Sequence, residues 1–109
     1  MTKYLISFPS ASMVLSEEDF ATVVETSHQA IREAKAAGVY VFAGGINEDV
    51  PPVLVDQHGN QSSTTSHLDG GFCVLEVPTR DEAEEWAARI AAGCRTPQEL
   101  REFQYDPES

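Results

Sequence analysis

The sequence predicts an α+β protein, a ferredoxin-like βαββαβ protomer with an extra β-hairpin between the second and third main strands. Two amphipathic helical segments each follow one apolar, strand-like run and precede another. A polar segment with hairpin features separates these two halves, within residues 46–70. The length of 109 residues suits one domain, which we assign to residues 1–109.

The first half reads as strand, helix, strand. Tyr4–Phe8 is apolar and ends at a proline, which predicts the first strand. Ser16 is a predicted N-cap because three acidic residues follow it, where the helix dipole favours negative charge. Apolar residues then recur at helical spacing until Gly38, a typical C-terminal stop. Val39–Ala43 is rich in β-branched and aromatic residues, so it is the second strand.

The middle of the chain predicts a small polar hairpin followed by a third main strand. Val53–Asp56 and Gln61–Thr65 flank a turn-forming segment that contains a glycine and an asparagine. Gly71–Val77 is the third main strand.

The last part of the chain predicts a second helix and a fourth main strand. Thr79 and Glu82 form a capping-box pattern, and the helix that follows is expected to end at Gly93. Leu100–Tyr105 is the last strand. Right-handed crossovers then give a four-stranded antiparallel sheet with both helices on one face.

The main strands are apolar on both faces, which predicts a partner. Two helices cover only one face of such a sheet, and a sheet face left in water should carry polar residues. The first three strands lack this alternation, so a monomer would expose a larger apolar patch than soluble monomers tolerate. We therefore expect a homodimer that packs sheet against sheet.

Charge and composition exclude several function classes. The chain has 7 Lys and Arg against 18 Asp and Glu, a net charge of −11, which argues against binding to nucleic acid or to an anionic membrane. No apolar run is long enough for a membrane span. Cys73 and Cys94 are expected to be inert thiols of a cytoplasmic protein. No zinc spacing and no phosphate-loop motif occur, so neither a metal nor a cofactor is predicted.

Two stretches of the chain carry a recognisable pattern, the Gly70–Val77 strand with the helix start Thr79–Ala87, and the earlier Ala37–Gly45. Together they resemble the YCII-related domain family, particularly its DGPF branch. The resemblance implies a ferredoxin-like protomer in a dimeric α/β barrel, and some members are proposed to be enzymes that use a His–Asp pair. This chain lacks the DGPF tetrapeptide, where Ser62–His67 stands, and the family's helix histidine aligns nearest Ser27.

Three residues are candidates for acid–base chemistry. His28 lies at the edge of the first helix's apolar stripe, where it is either a general base or a hydrogen-bonded boundary residue. His67 and Asp69 precede the third main strand and face the same direction if that segment is extended. This pair is either an acid–base pair or a cap for the turn.

Three functions follow as hypotheses. The first is binding of a small molecule in an apolar cavity of the dimer, lined by aromatic side chains, namely Tyr40, Phe42, Phe103 and Tyr105. The second is a small acid–base enzyme of lyase or isomerase type, acting on a cyclic or aromatic metabolite through His28, or through His67 with Asp69. The third is a protein-interaction domain linked to transcription regulation.

Overall fold

The computed structural model describes residues 1–109 and contains six strands and two α-helices. A single 3₁₀ turn, Ser10–Ser12, precedes the first helix. In chain order the elements are β1 (Thr2–Phe8), α1 (Glu17–Ala36), β2 (Tyr40–Gly45), β3 (Leu54–Val55), β4 (Gln61–Ser62), β5 (Gly71–Val77), α2 (Arg80–Cys94) and β6 (Glu99–Glu102).

The main sheet has four antiparallel strands in the order β2-β5-β1-β6. Strands β3 and β4 form a separate two-stranded hairpin between the halves. The predicted α+β class and the inserted hairpin are therefore confirmed, and the topology is consistent with a ferredoxin-like arrangement. Strand β6 is shorter than predicted, although one more backbone bond, from Phe103 N to Lys3 O, continues the pairing.

Both helices begin where the sequence predicts, because a side chain caps each N-terminus. The Ser16 hydroxyl accepts a hydrogen bond from the amide of Asp19 at 3.2 Å, and the Thr79 hydroxyl accepts one from the amide of Glu82 at 3.2 Å. The predicted end of α2 was wrong by one residue. The helix continues through Gly93, and Arg95 is the residue that turns into the left-handed region, with φ of 53°.

The core lies between the two helices and one face of the sheet. Alternate residues of β1 and β5 point to this face, and the fully buried ones are Ile6, Leu75 and Val77. Trp86 is 9% exposed and packs in the same cluster, as its place on the apolar stripe of α2 predicts. The opposite face of the sheet has no helix over it, and we call it the open face.

Gly93 brings the two helices into close contact. A Cβ atom at this position would lie 2.8 Å from the carbonyl oxygen of Thr26 in α1. The Thr26 hydroxyl in turn donates a hydrogen bond to the Gly93 carbonyl. This glycine therefore serves helix packing and does not end α2.

Gly70 holds the chain close to the end of β1. Its φ is +88°, and a Cβ atom there would lie 1.8 Å from the carbonyl oxygen of Phe8. The Gly70 carbonyl also accepts a hydrogen bond from the amide of Ile46 at 2.9 Å. Only glycine fits this position, because any other residue would meet both a disfavoured conformation and a steric overlap.

Candidate functional site

An apolar concavity of about 460 Å³ lies between α1 and the helix side of the sheet, and we call it the α1–sheet cleft. Helix α1 packs more extensively against α2 than against β2, and Ala30 and Ala34 are among its buried residues. Phe20 and Val24, nearer the start of α1, are 56% and 37% exposed. The apolar walls come from both layers and include Phe20, Val24, Ile31, Ile6, Phe8 and Phe72.

Three polar side chains also line the α1–sheet cleft, namely His28, Lys35 and Tyr40. The Lys35 ammonium lies 4.9 Å from the centre of the Tyr40 ring, a cation–π distance. The Tyr40 hydroxyl oxygen accepts a hydrogen bond from the Ala43 amide at 3.1 Å, which leaves its own O–H free to donate to a ligand.

Two thiols form the inner wall of the same cleft. Cys73 and Cys94 are buried and unpaired with each other. Burial raises the pKa of the Cys73 thiol to about 11, with a smaller contribution from Cys94, and burial also raises the pKa of Cys94. Both side chains are therefore neutral thiols near pH 7, so they contribute apolar surface and not a nucleophile.

The predicted His67–Asp69 pair forms on the opposite side of the sheet. His67 Nε2 lies 2.9 Å from Asp69 Oδ2, and the other carboxylate oxygen accepts a hydrogen bond from the Ser10 amide at 3.0 Å. Asp69 is 17% exposed, whereas His67 is 86% exposed. The Ser10 amide thus holds the Asp69 carboxylate in place, and the carboxylate in turn contacts Nε2 of the exposed His67 ring.

This pair borders a shallow pocket of about 300 Å³ on the open face, and we call it the His67–Asp69 pocket. Its floor includes Leu5 and Ser7, and its other charged residues, Glu99 and Arg101, pair with each other at 2.7 Å. A neutral His67 that donates from Nε2 to the carboxylate keeps Nδ1 free to accept a proton. His67 can therefore act as a general base in this pocket once its exposed side chain is shielded from water.

The three acid–base candidates do not converge in one site. His28 lines the α1–sheet cleft on the helix side, whereas His67 and Asp69 border the open face. Phe8 and Phe72 line both concavities, so the two sites are neighbours at the same end of the sheet. Any chemistry that uses His28 is accordingly separate from chemistry that uses the His67–Asp69 pair.

The four aromatic candidates do not share one face either, which corrects the sequence-based expectation. The register of β2 shifts between Tyr40 and Phe42, so Tyr40 pairs with Leu75 on the helix side and Phe42 pairs with Val74 on the open face.

Phe103 and Tyr105 line a third concavity of about 420 Å³ beside the chain termini, together with Val74. Of the four aromatic residues, only Tyr40 lines the α1–sheet cleft.

Sequence reasoning missed several residues of the cleft. Lys35 reads as an ordinary basic residue in the last turn of a helix, and Met13 lies in a loop. One signal was available. The apolar stripe of α1 already begins at Phe20 in the first turn, which indicates that this end of the helix also has an apolar contact.

No protein-family model matches the chain, and no curated protein matches it either. Neither helix is both long and apolar enough to cross a membrane. No group of three or more His, Cys, Asp or Glu side chains is arranged to hold a metal ion.

Proposed function

We propose that this protein binds a small, mainly apolar molecule in the α1–sheet cleft. The observation that carries the proposal is the exposure of Phe20 and Val24 toward a cleft of about 460 Å³ that also holds hydrogen-bonding groups. Ligand sites are typically concavities of about 300–1,000 Å³ with apolar walls and a few polar groups. Bound apolar ligand would cover side chains that otherwise remain in water, and this burial supplies the driving force.

Blocking the cleft tests this proposal. In Val24→Trp an indole replaces a small side chain at the exposed wall, so a neutral probe such as 2-(1-naphthyl)ethanol should bind at least tenfold more weakly than to the wild type. Val53→Trp is the matched control, because Val53 is 58% exposed and lies outside the cleft. Amide chemical-shift changes in NMR titrations report both affinity and location. Equal binding by the two variants would contradict the proposal.

We also propose that the protomers are ferredoxin-like and form a homodimer through their open faces, as a dimeric α/β barrel. Leu5, Phe72 and Val74 form a half-buried apolar band there, and Phe42 beside them is 57% exposed. Ion pairs lie on the same face beside this band, Lys3 with Glu76 at 3.9 Å and Arg101 with Glu99 at 2.7 Å. A second copy presents the same band together with charges of both signs, so it can match the face by symmetry.

The oligomeric state in solution tests the proposed homodimer. Sedimentation at micromolar concentration should give twice the mass of one chain. Val74→Glu places a charge in the apolar band and should give a folded monomer, because an unpaired charge in an apolar interface is strongly unfavourable. Ala92→Glu adds the same charge at an exposed position of α2 and should remain dimeric. A monomeric wild type would refute the dimer and leave the cleft proposal standing.

A second candidate function is acid–base catalysis by the His67–Asp69 pair. The 2.9 Å hydrogen bond favours it, since a carboxylate that fixes the imidazole tautomer is the arrangement a general base requires. Burial of the open face in the dimer would shield this pair. The ring ¹⁵N shifts of neutral His67 should show a proton on Nε2 in the wild type and a mixed population in Asp69→Ala. A mixed population in the wild type would contradict this role.

A further inference from the structure

The charge of the α1–sheet cleft differs from the charge of the rest of the molecule. Asp and Glu make up 18 of 109 residues, so a lining of 20 residues would carry about three carboxylates if acid were evenly spread. The lining carries none. Apart from the two neutral thiols, its titratable side chains are Lys35, His28 and Tyr40, in a chain whose net charge is −11.

Helix α1 shows how this separation arises. The helix carries five carboxylates, at Glu17, Glu18, Asp19, Glu25 and Glu33. The cleft is lined instead by the face of α1 that contains Phe20, Val24, His28, Ile31 and Lys35. These positions recur every three or four residues, so they form one stripe along the helix. Glu18, Asp19, Glu25 and Glu33 lie off that stripe, and Glu17, which continues it by one position at the start of the helix, does not line the cleft.

The cationic group of this stripe has no carboxylate partner. Lys35 takes part in none of the ion pairs of the chain, whereas Arg32, one turn away from His28, pairs with Glu25 at 2.6 Å. The Lys35 ammonium lies over the face of the Tyr40 ring. Its hydrogen-bond donors therefore remain available, as does the O–H of Tyr40, which lines the same cleft.

We propose that the ligand of the α1–sheet cleft is an amphipathic organic acid. This inference rests on the proposed function of the cleft. The apolar body of the acid lies against Phe20, Ile31 and the sheet, and its carboxylate accepts hydrogen bonds from Lys35 and Tyr40, with His28 nearby on the same helix face. The net negative charge of the protein opposes anions at long range, but salt screens that field over about 8 Å. Selection for the acid is accordingly local.

Three probes of nearly equal size test the charge preference. They are 1-naphthylacetate, 2-(1-naphthyl)ethanol and 2-(1-naphthyl)ethylamine, which share a ring system and differ in the charge of the terminal group. The acid should bind wild-type protein at least tenfold more tightly than the alcohol, because a hydrogen bond with charged partners is about twice as strong as a neutral one. The amine should bind most weakly.

The Lys35→Met variant locates the effect. It keeps an unbranched side chain over the Tyr40 ring and removes the charge, so acid binding should weaken about tenfold while alcohol binding is unchanged. Arg32→Met makes the same change in net charge on α1 outside the cleft, and it should leave the affinity for both probes within twofold.

The outcomes separate the two proposals. If no probe binds, or if Val24→Trp binds every probe as well as Val53→Trp does, the cleft is not a ligand site. If the alcohol or the amine binds the cleft as tightly as the acid, the cleft is a ligand site but the acid preference is refuted. Equal losses for acid and alcohol in Lys35→Met would also refute the acid preference, because they would indicate a structural role for Lys35.

Discussion

Substitution of Gly70 by alanine should destabilise the fold more than the same substitution at any exposed turn. Gly70 has φ of +88°, and Gly38, at the end of α1, has φ of +75°. At both positions the left-handed conformation costs a residue with a side chain about 1–2 kcal/mol of stability. They differ in space, since a Cβ atom at Gly38 meets nothing within 4 Å and one at Gly70 would lie 1.8 Å from the Phe8 oxygen.

The extra free-energy loss follows from this overlap. The Cβ atom and the Phe8 oxygen must separate by at least 1.2 Å, the difference between 3.0 and 1.8 Å, before the contact is one that real structures show. Forcing such a shift in a packed region costs about 1–3 kcal/mol. The shift also displaces the Gly70 carbonyl from the Ile46 amide, and loss of this hydrogen bond costs about 1 kcal/mol. Gly70→Ala should therefore lose about 3–6 kcal/mol and Gly38→Ala about 1–2 kcal/mol.

Urea unfolding of both variants measures these losses as shifts of the transition midpoint at constant slope. A fluorescence signal from Trp86 reports the core directly, because Trp86 packs against the sheet beside β5. Losses for Gly70→Ala and Gly38→Ala that agree within 1 kcal/mol would refute the reasoning, since the steric contribution would then be absent.

Two further predictions concern the helix contact and the buried thiol. Gly93→Ala should destabilise by about 1–2 kcal/mol in thermal unfolding, because overlap with Thr26 outweighs the gain of about 1 kcal/mol that alanine brings to a helix; stabilisation would contradict the close packing. The raised folded-state pKa of Cys73 contributes stability that is complete below pH 9 and is lost as pH rises toward 11. Under reducing conditions the free energy of unfolding should fall between pH 8 and pH 10.5, and this fall should be about 2 kcal/mol smaller in Cys73→Ala than in the wild type. If the free energy of unfolding has the same pH dependence in both proteins, the Cys73 thiol is not the cause of the loss of stability at high pH.

Local signals predicted the elements well, because each signal acts within a few residues. Ser16 and Thr79 supply oxygen atoms to helix N-termini three residues away, and both caps form as expected. Strand β5 has the predicted bounds, Gly71–Val77, because apolar and β-branched residues are bounded there by glycine and proline. The hairpin also forms between β3 and β4.

The candidate site was predictable only where two residues act as neighbours in the chain. His67 and Asp69 are two positions apart, so an extended segment brings them within 2.9 Å, as expected. The aromatic set required knowledge of the strand register. A single shift after Tyr40 moves Phe42 to the other face of the sheet, because side chains alternate between faces with a period of two.

Composition and spacing along the chain were enough to predict both helices, the main strands and the excess of negative charge, because these signals are local. The close packing of α1 on α2 at Gly93, and a cleft lined by Lys35 and Tyr40 but by no carboxylate, are visible only in three dimensions. The position of α1 depends on contacts between residues such as Thr26 and Gly93, which are 67 positions apart. Periodicity within one helix specifies which face is buried but not which neighbour covers it.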